Sequence, residues 1–196
     1  MISYPWYEDI KSDDPLTQGD LIKACPVLTY SSVDFAQDQP ASKVLEAAVI
    51  AQEADCIVMT QGCDLAYDHV REVILCPVYE VNYFRTMWEQ QLKEKHQNPT
   101  PRTWQRRLNE IREGKIWNLS LLNQRAEDQE KGQNAIPFQI VDFHEIFSLP
   151  KSFLLHWMKQ NSQQRMRLLP PYREHLSQAF ARYFMRVGLP EDIPSF

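Results

Sequence analysis

Two short apolar runs constrain this chain more than any other feature. Cys56-Ile57-Val58-Met59 stops abruptly at Thr60-Gln61-Gly62-Cys63-Asp64, and Val73-Ile74-Leu75-Cys76-Pro77-Val78 follows after a polar interval. Short apolar runs bounded by turn-forming residues read as buried strands. The polar residues between them therefore sit where a sheet hands over to a loop, a common place for recognition or chemistry.

The rest of the chain is organised around that pair. Met1 to Thr17 reads as an irregular arm anchored by Tyr4, Trp6 and Tyr7. Gln18-Gly19-Asp20 is a turn signal, and Leu21 to Val27 a first strand with Pro26 near its end. Ser31 to Pro40 is a polar loop. Val44 to Ala54 fits a short helix or a strand, and the strand reading is taken near Lys43 to Ala48. Beyond Val73 to Glu80 the character changes. Tyr83 to Gln97 and Thr103 to Glu113 carry apolar residues at helical spacing, separated by Asn98-Pro99-Thr100-Pro101. Ile116 to Leu122 and Ile136 to Phe143 read as strands, the latter leading into Glu145 to Leu149, and Ala126 to Asn134 as a charged loop. Ser152 to Met158 reads as a short helix. After Pro170-Pro171, the residues Tyr172, Leu176, Phe180, Tyr183, Phe184 and Val187 form one helical stripe, with Gly188 and Pro190 as the stop.

Composition narrows the function classes. Only 5 of 196 residues are glycine, and neither GxGxxG nor GxxxxGK[ST] occurs, so a glycine-rich phosphate loop is excluded and no cofactor is expected. No run of about 18 apolar residues and no basic-then-apolar leader is present, which predicts a soluble, cytoplasmic protein. The four cysteines, Cys25, Cys56, Cys63 and Cys76, form no CxxC pair, and reduced thiols are expected. His144 and His156, near Asp142 and Glu145, lack metal-ligand spacing, so no metal is expected.

Charge is unevenly spread within a net of −5. Residues 1–80 hold 4 Lys/Arg against 14 Asp/Glu, residues 81–117 hold 8 against 4, and residues 151–196 hold 7 against 3. An acidic front with two basic segments suits nucleic-acid contact, partner docking or self-association.

Three clusters are candidate sites. In the first, Asp64 or His69 would move a proton while Thr60 binds a phosphate oxygen, with Cys63 as a nucleophile if a base lies close. The simpler reading of the same residues is capping of backbone groups at a strand end. The second is the basic helical pair, whose Arg102, Arg106, Arg107, Arg112 and Lys115, with Trp104, suit either single-stranded RNA, through phosphate contacts and base stacking, or an acidic partner. The third is His175, Arg182 and Arg186, which share a flank of the last helix and would grip an anion or an acidic partner.

The order of strands resembles the PemK/MazF-like toxin barrel. The resemblance rests on Gln18-Gly19-Asp20-Leu21-Ile22, Ile57-Val58-Met59-Thr60 and Val73 to Val78. To these it adds Val141-Asp142-Phe143-His144-Glu145-Ile146-Phe147 with Leu149-Pro150-Lys151. It implies an SH3-like barrel, usually dimeric, and in many members metal-independent cleavage of single-stranded RNA. Thr60 matches that family's Ser/Thr at a strand end. Its catalytic arginine has no match, because Lys43 is the only cation between Val27 and Ala54. A TQ-x-CDL segment at Thr60 to Leu65 also resembles uncharacterised bacterial proteins.

The expected architecture is α+β in one domain, 1–196: a small, partly open barrel (18–82 and 116–150), a two-helix insertion (83–115) and a C-terminal helix (170–188). The expected function is a non-catalytic interaction or regulatory module of a bacterial stress or defence system, with a protein partner. The alternative is a metal-independent endoribonuclease of the MazF/PemK type.

Overall fold

The computed structural model describes residues 4–31, 40–128 and 133–185. The elements run β1 (Tyr7–Ile10), β2 (Asp20–Tyr30), α1 (Ala41–Ala48), β3 (Val49–Val58), α2 (Gly62–Ala66), β4 (Glu72–Glu80), α3 (Val81–Glu94), α4 (Pro101–Arg112) and β5 (Leu119–Leu122). They continue with β6 (Gln139–Asp142), β7 (Phe147–Pro150), α5 (Lys151–Gln160), β8 (Arg165–Leu168) and α6 (Tyr172–Phe184). The protein is mixed α+β, and its eight strands form one antiparallel sheet that is not closed into a barrel. Strand order is β1-β8-β2-β3-β4-β6-β5, with β7 also on β4. Side chains reach across between the outer strands. The Tyr7 hydroxyl donates to the Asn123 carbonyl at 2.6 Å, and Arg125 forks onto Asp9 at 2.9 and 3.0 Å.

Alternation along β3 explains why that strand is central. Cys56 and Val58 enter one core with Ile22, Val73, Leu75 and the α5 residues Leu154 and Met158. Ile57 and Met59 enter a second, with Val78, Val141, Phe143 and Leu176 of α6. Both faces are covered over Cys56–Val58, so that end of the strand reads as a continuous apolar run, whereas Val49 to Glu53 are exposed. A third core holds the insertion: Phe84, Trp104 and Ile111 close on Leu119 and Ile140.

Local sequence signals account for several boundaries. Thr100 and Thr103 form a reciprocal capping box, with Pro101 starting α4. The helix ends at Gly114, whose φ is +65°, where the Gly114 and Lys115 amides donate to the Ile111 and Glu110 carbonyls. That Schellman arrangement favours a residue without a Cβ. In β2 the register shifts between Ile22 and Cys25, and Asp55 stabilises the bulge by accepting from the Ala24 amide at 2.9 Å and pairing with Lys23.

Four expectations need correction. Lys43 to Ala48 is helical, lying within α1, because Val44 and Ala48, four residues apart, bury one helical stripe. The N-terminal arm is partly regular: β1 pairs with β8, and neither strand was expected. Ile74, read within a buried strand, faces outwards, 38 % exposed, and Leu75 stands opposite Val58. Trp104, expected to offer a ring for base stacking, instead turns into the third core against β5 and β6. The stop at Gly188 and Pro190, with Arg186 and Val187, lies outside the described residues, as do 32–39 of the polar loop and 129–132 of the charged loop.

Candidate functional site

Thr60 follows directly on β3 and is 6 % exposed. Its hydroxyl oxygen accepts the Ile74 amide at 2.7 Å, while the Met59 amide donates to the Ile74 carbonyl at 2.9 Å. The side chain thus stands in for a backbone carbonyl and carries the β3–β4 ladder one step further. Thr60→Val should leave the Ile74 amide without its acceptor and cost about 1–3 kcal/mol in urea unfolding, whereas Thr60→Ser should stay within about 1 kcal/mol of wild type.

Asp64 and His69 meet at the surface beyond it, with Nδ1 and Oδ1 3.7 Å apart. The Cys63 thiol is exposed, 3.9 Å from Asp64 Oδ1. Lys151 secures this loop: its ammonium donates to the Leu65 carbonyl, at the end of α2, and to Asp68, both at 2.7 Å. That contact holds the Asp68 carboxyl below its ordinary range. The other cysteines are buried. Desolvation pushes the Cys76 thiol up to about 12, and hydrogen bonding to Cys25 together with burial raises that of Cys56, so both stay protonated.

In the insertion, Trp104 is buried and packs against Trp88, ring centroids 5.4 Å apart, with the Arg85 guanidinium 5.8 Å from the Trp104 ring. It is not free to stack on a base. Arg102, Arg106 and Arg112 are exposed on α4, and Lys115 on the turn after it. Arg106 pairs with Glu110 at 2.9 Å and Lys115 with Glu113. Arg107 turns inwards: desolvation lowers its pKa, and its buried Nε has no acceptor among the described residues.

The last helix meets this segment. Arg182 donates to the Gly114 carbonyl at 2.8 Å and lies 5.3 Å from the Trp117 ring centroid. A cleft of about 250 Å³ opens at the junction, lined by Arg112, Glu113, Gly114, His175 and Arg182 among others. Two basic clusters that are far apart in sequence therefore share one edge. Arg186 lies outside the described residues.

Sequence reasoning missed a buried ionic cluster. Asp20 is inaccessible and accepts from Arg167 at 2.6 and 3.1 Å and from the Thr17 amide at 3.2 Å. Arg165 Nε lies 3.3 Å from the same carboxylate without hydrogen-bond alignment. The alternation of Arg165 and Arg167 was the one available signal, in a segment too short and too charged to read as a strand. A cleft between β1 and β6, floored by Gln139, was also missed.

No helix among the described residues is long and apolar enough to cross a membrane. No known protein family matches this chain, and neither do the curated proteins or solved structures it was compared with.

Proposed function

We propose that this protein is a non-catalytic interaction module that docks an acidic segment of a partner protein on the edge formed by α4, the Gly114 turn and α6. The observation that carries this reading is the convergence of Arg112, His175 and Arg182 around one cleft, flanked by exposed Arg102, Arg106 and Lys115. The inward packing of Trp88 and Trp104 favours a protein partner over single-stranded RNA, because stacking platforms need an exposed ring, and Trp117, 39 % exposed, already carries the Arg182 guanidinium. The Thr60 hydroxyl, engaged by the Ile74 amide, favours a structural role for that residue over phosphate binding. A toxin-like barrel ancestry for the module would rest on the antiparallel run β2–β3–β4, which carries part of the residues behind the PemK/MazF resemblance.

An oligoglutamate peptide and an oligouridylate RNA, each titrated into the full chain over a salt series, test the docking surface. The peptide should bind, and Arg102→Glu, Arg106→Glu and Arg112→Glu together should abolish binding without lowering the melting temperature by more than a few degrees, since exposed charges contribute little to stability. Arg107 is left unchanged because it is half-buried. RNA binding that is tighter than peptide binding, falls steeply with salt and is lost in the triple variant would overturn the reading. So would metal-independent RNA cleavage by clean wild-type protein.

A further inference from the structure

The second core opens between β1 and β6 into a cleft of about 550 Å³, within the range of small-molecule sites. Leu21, Ile136 and Met166 supply its apolar wall, and Asp9, Lys11, Lys23, Glu80 and Arg125 its rim. Gln139 lies at its floor, 1 % exposed. Antiparallel register puts directly opposed residues on the same face, so Gln139 shares a face with Leu122 and Glu80, and with Val141 two residues on. Leu122 and Val141 belong to the second core, which directs the Gln139 side chain to the cleft side of the sheet. Its Oε1 is buried and has no hydrogen-bond donor among the described residues. Native proteins rarely leave such a group unpaired, and the exceptions mark functional sites or occupants.

The surroundings specify what that occupant presents. Gln139 and Glu80 stand directly opposite each other on β6 and β4 and both line the cleft, so a group held between their acceptor oxygens must bring N–H donors and benefits from positive charge. Arg125, beside Ile136 on the β6 side, is committed to Asp9 across the cleft, and Lys23 to Asp55. Lys11 has no ion-pair partner among the described residues and stands ready for an anion. We propose that this cleft binds a small zwitterion, a free amino acid or short peptide, with its ammonium on Gln139 and Glu80, its carboxylate towards Lys11 and an apolar side chain against Leu21, Ile136 and Met166.

Calorimetric titration of the full chain with L-leucyl-glycine tests this, with N-acetyl-leucyl-glycinamide as a probe lacking both charges. Saturable binding of the dipeptide is expected, weakened about tenfold or more in Glu80→Gln, Lys11→Gln and Gln139→Leu, and about tenfold weaker for the blocked peptide. Ligand-free Gln139→Leu should melt above wild type, because it removes an unpaired buried carbonyl while keeping an apolar side chain. The surface variants should fold as wild type, so their affinities remain readable whatever Gln139→Leu does. No saturable binding at millimolar dipeptide would overturn the proposal, as would equal binding of the blocked peptide or unchanged affinity in the variants. A Gln139→Leu protein melting below wild type would make Gln139 a structural group and overturn it too.

Discussion

Val58→Asp should abolish folding or lower the unfolding free energy by at least about 4 kcal/mol, which circular dichroism melts and urea titration would measure. Val58 has no accessible surface, stands opposite Leu75 and lies in the core that α5 covers. A carboxylate there has no partner and must either ionise without solvent or take up a proton at a cost. A typical domain is stable by about 5–15 kcal/mol, so this change consumes much of the margin. Val58→Ala separates lost packing from buried charge. It should cost about 2 kcal/mol, from the missing methyl groups and the cavity they leave. An unchanged melting temperature in Val58→Asp would mean that β3 is not the central strand.

Asp20→Ala should cost about 3–5 kcal/mol, the range for removing one partner of a buried ion pair. The carboxylate neutralises Arg167 and faces Arg165, both on β8, from the first residue of β2. Those arginines also hold the N-terminal arm, with Arg165 donating to the Asp14 carbonyl at 2.6 Å and Arg167 to that of Pro15 at 2.8 Å. Burial already lowers the pKa of Arg165, and Asp20 opposes that effect. Without Asp20, two guanidinium groups would face each other in a poorly solvated space, so β1 and β8 should loosen first. Faster amide exchange at Tyr7 to Ile10 and Arg165 to Leu168 than in β3 would check this. A loss below about 1 kcal/mol would show that the arginines find other acceptors.

The two variants separate what was legible from what was not. The end of β3 and the centre of β4 can be read from Cys56 to Met59 and Val73 to Val78 because strand segments covered on both faces are apolar. The capping chemistry around α4 and the stripe of α6 are local in the same sense: neighbours three or four residues apart carry the signal. Lys43 to Ala48 misled because its apolar residues satisfy a two-residue and a four-residue period at once. Thr60 could be placed at a strand end, but whether its hydroxyl faced solvent or the Ile74 amide depended on how β4 lay beside it.

The sequence by itself determined the α+β class, the two central strands, the helical insertion and its excess of positive charge, since each rests on composition or short-range periodicity. Only the tertiary structure decided which charges were free. It buried Trp104, turned Arg107 inwards, joined Arg112 to His175 and Arg182, and set Asp20 against arginines 145 and 147 residues away. Gln139 became a buried acceptor beside Glu80, with no donor among the described residues, only because β6 pairs with β4 across the whole insertion. Periodicity records which face of an element is buried. What that face meets is set by chain crossings that bring distant residues together, and neither electrostatic pairing nor hydrogen-bond satisfaction exists before those crossings are made.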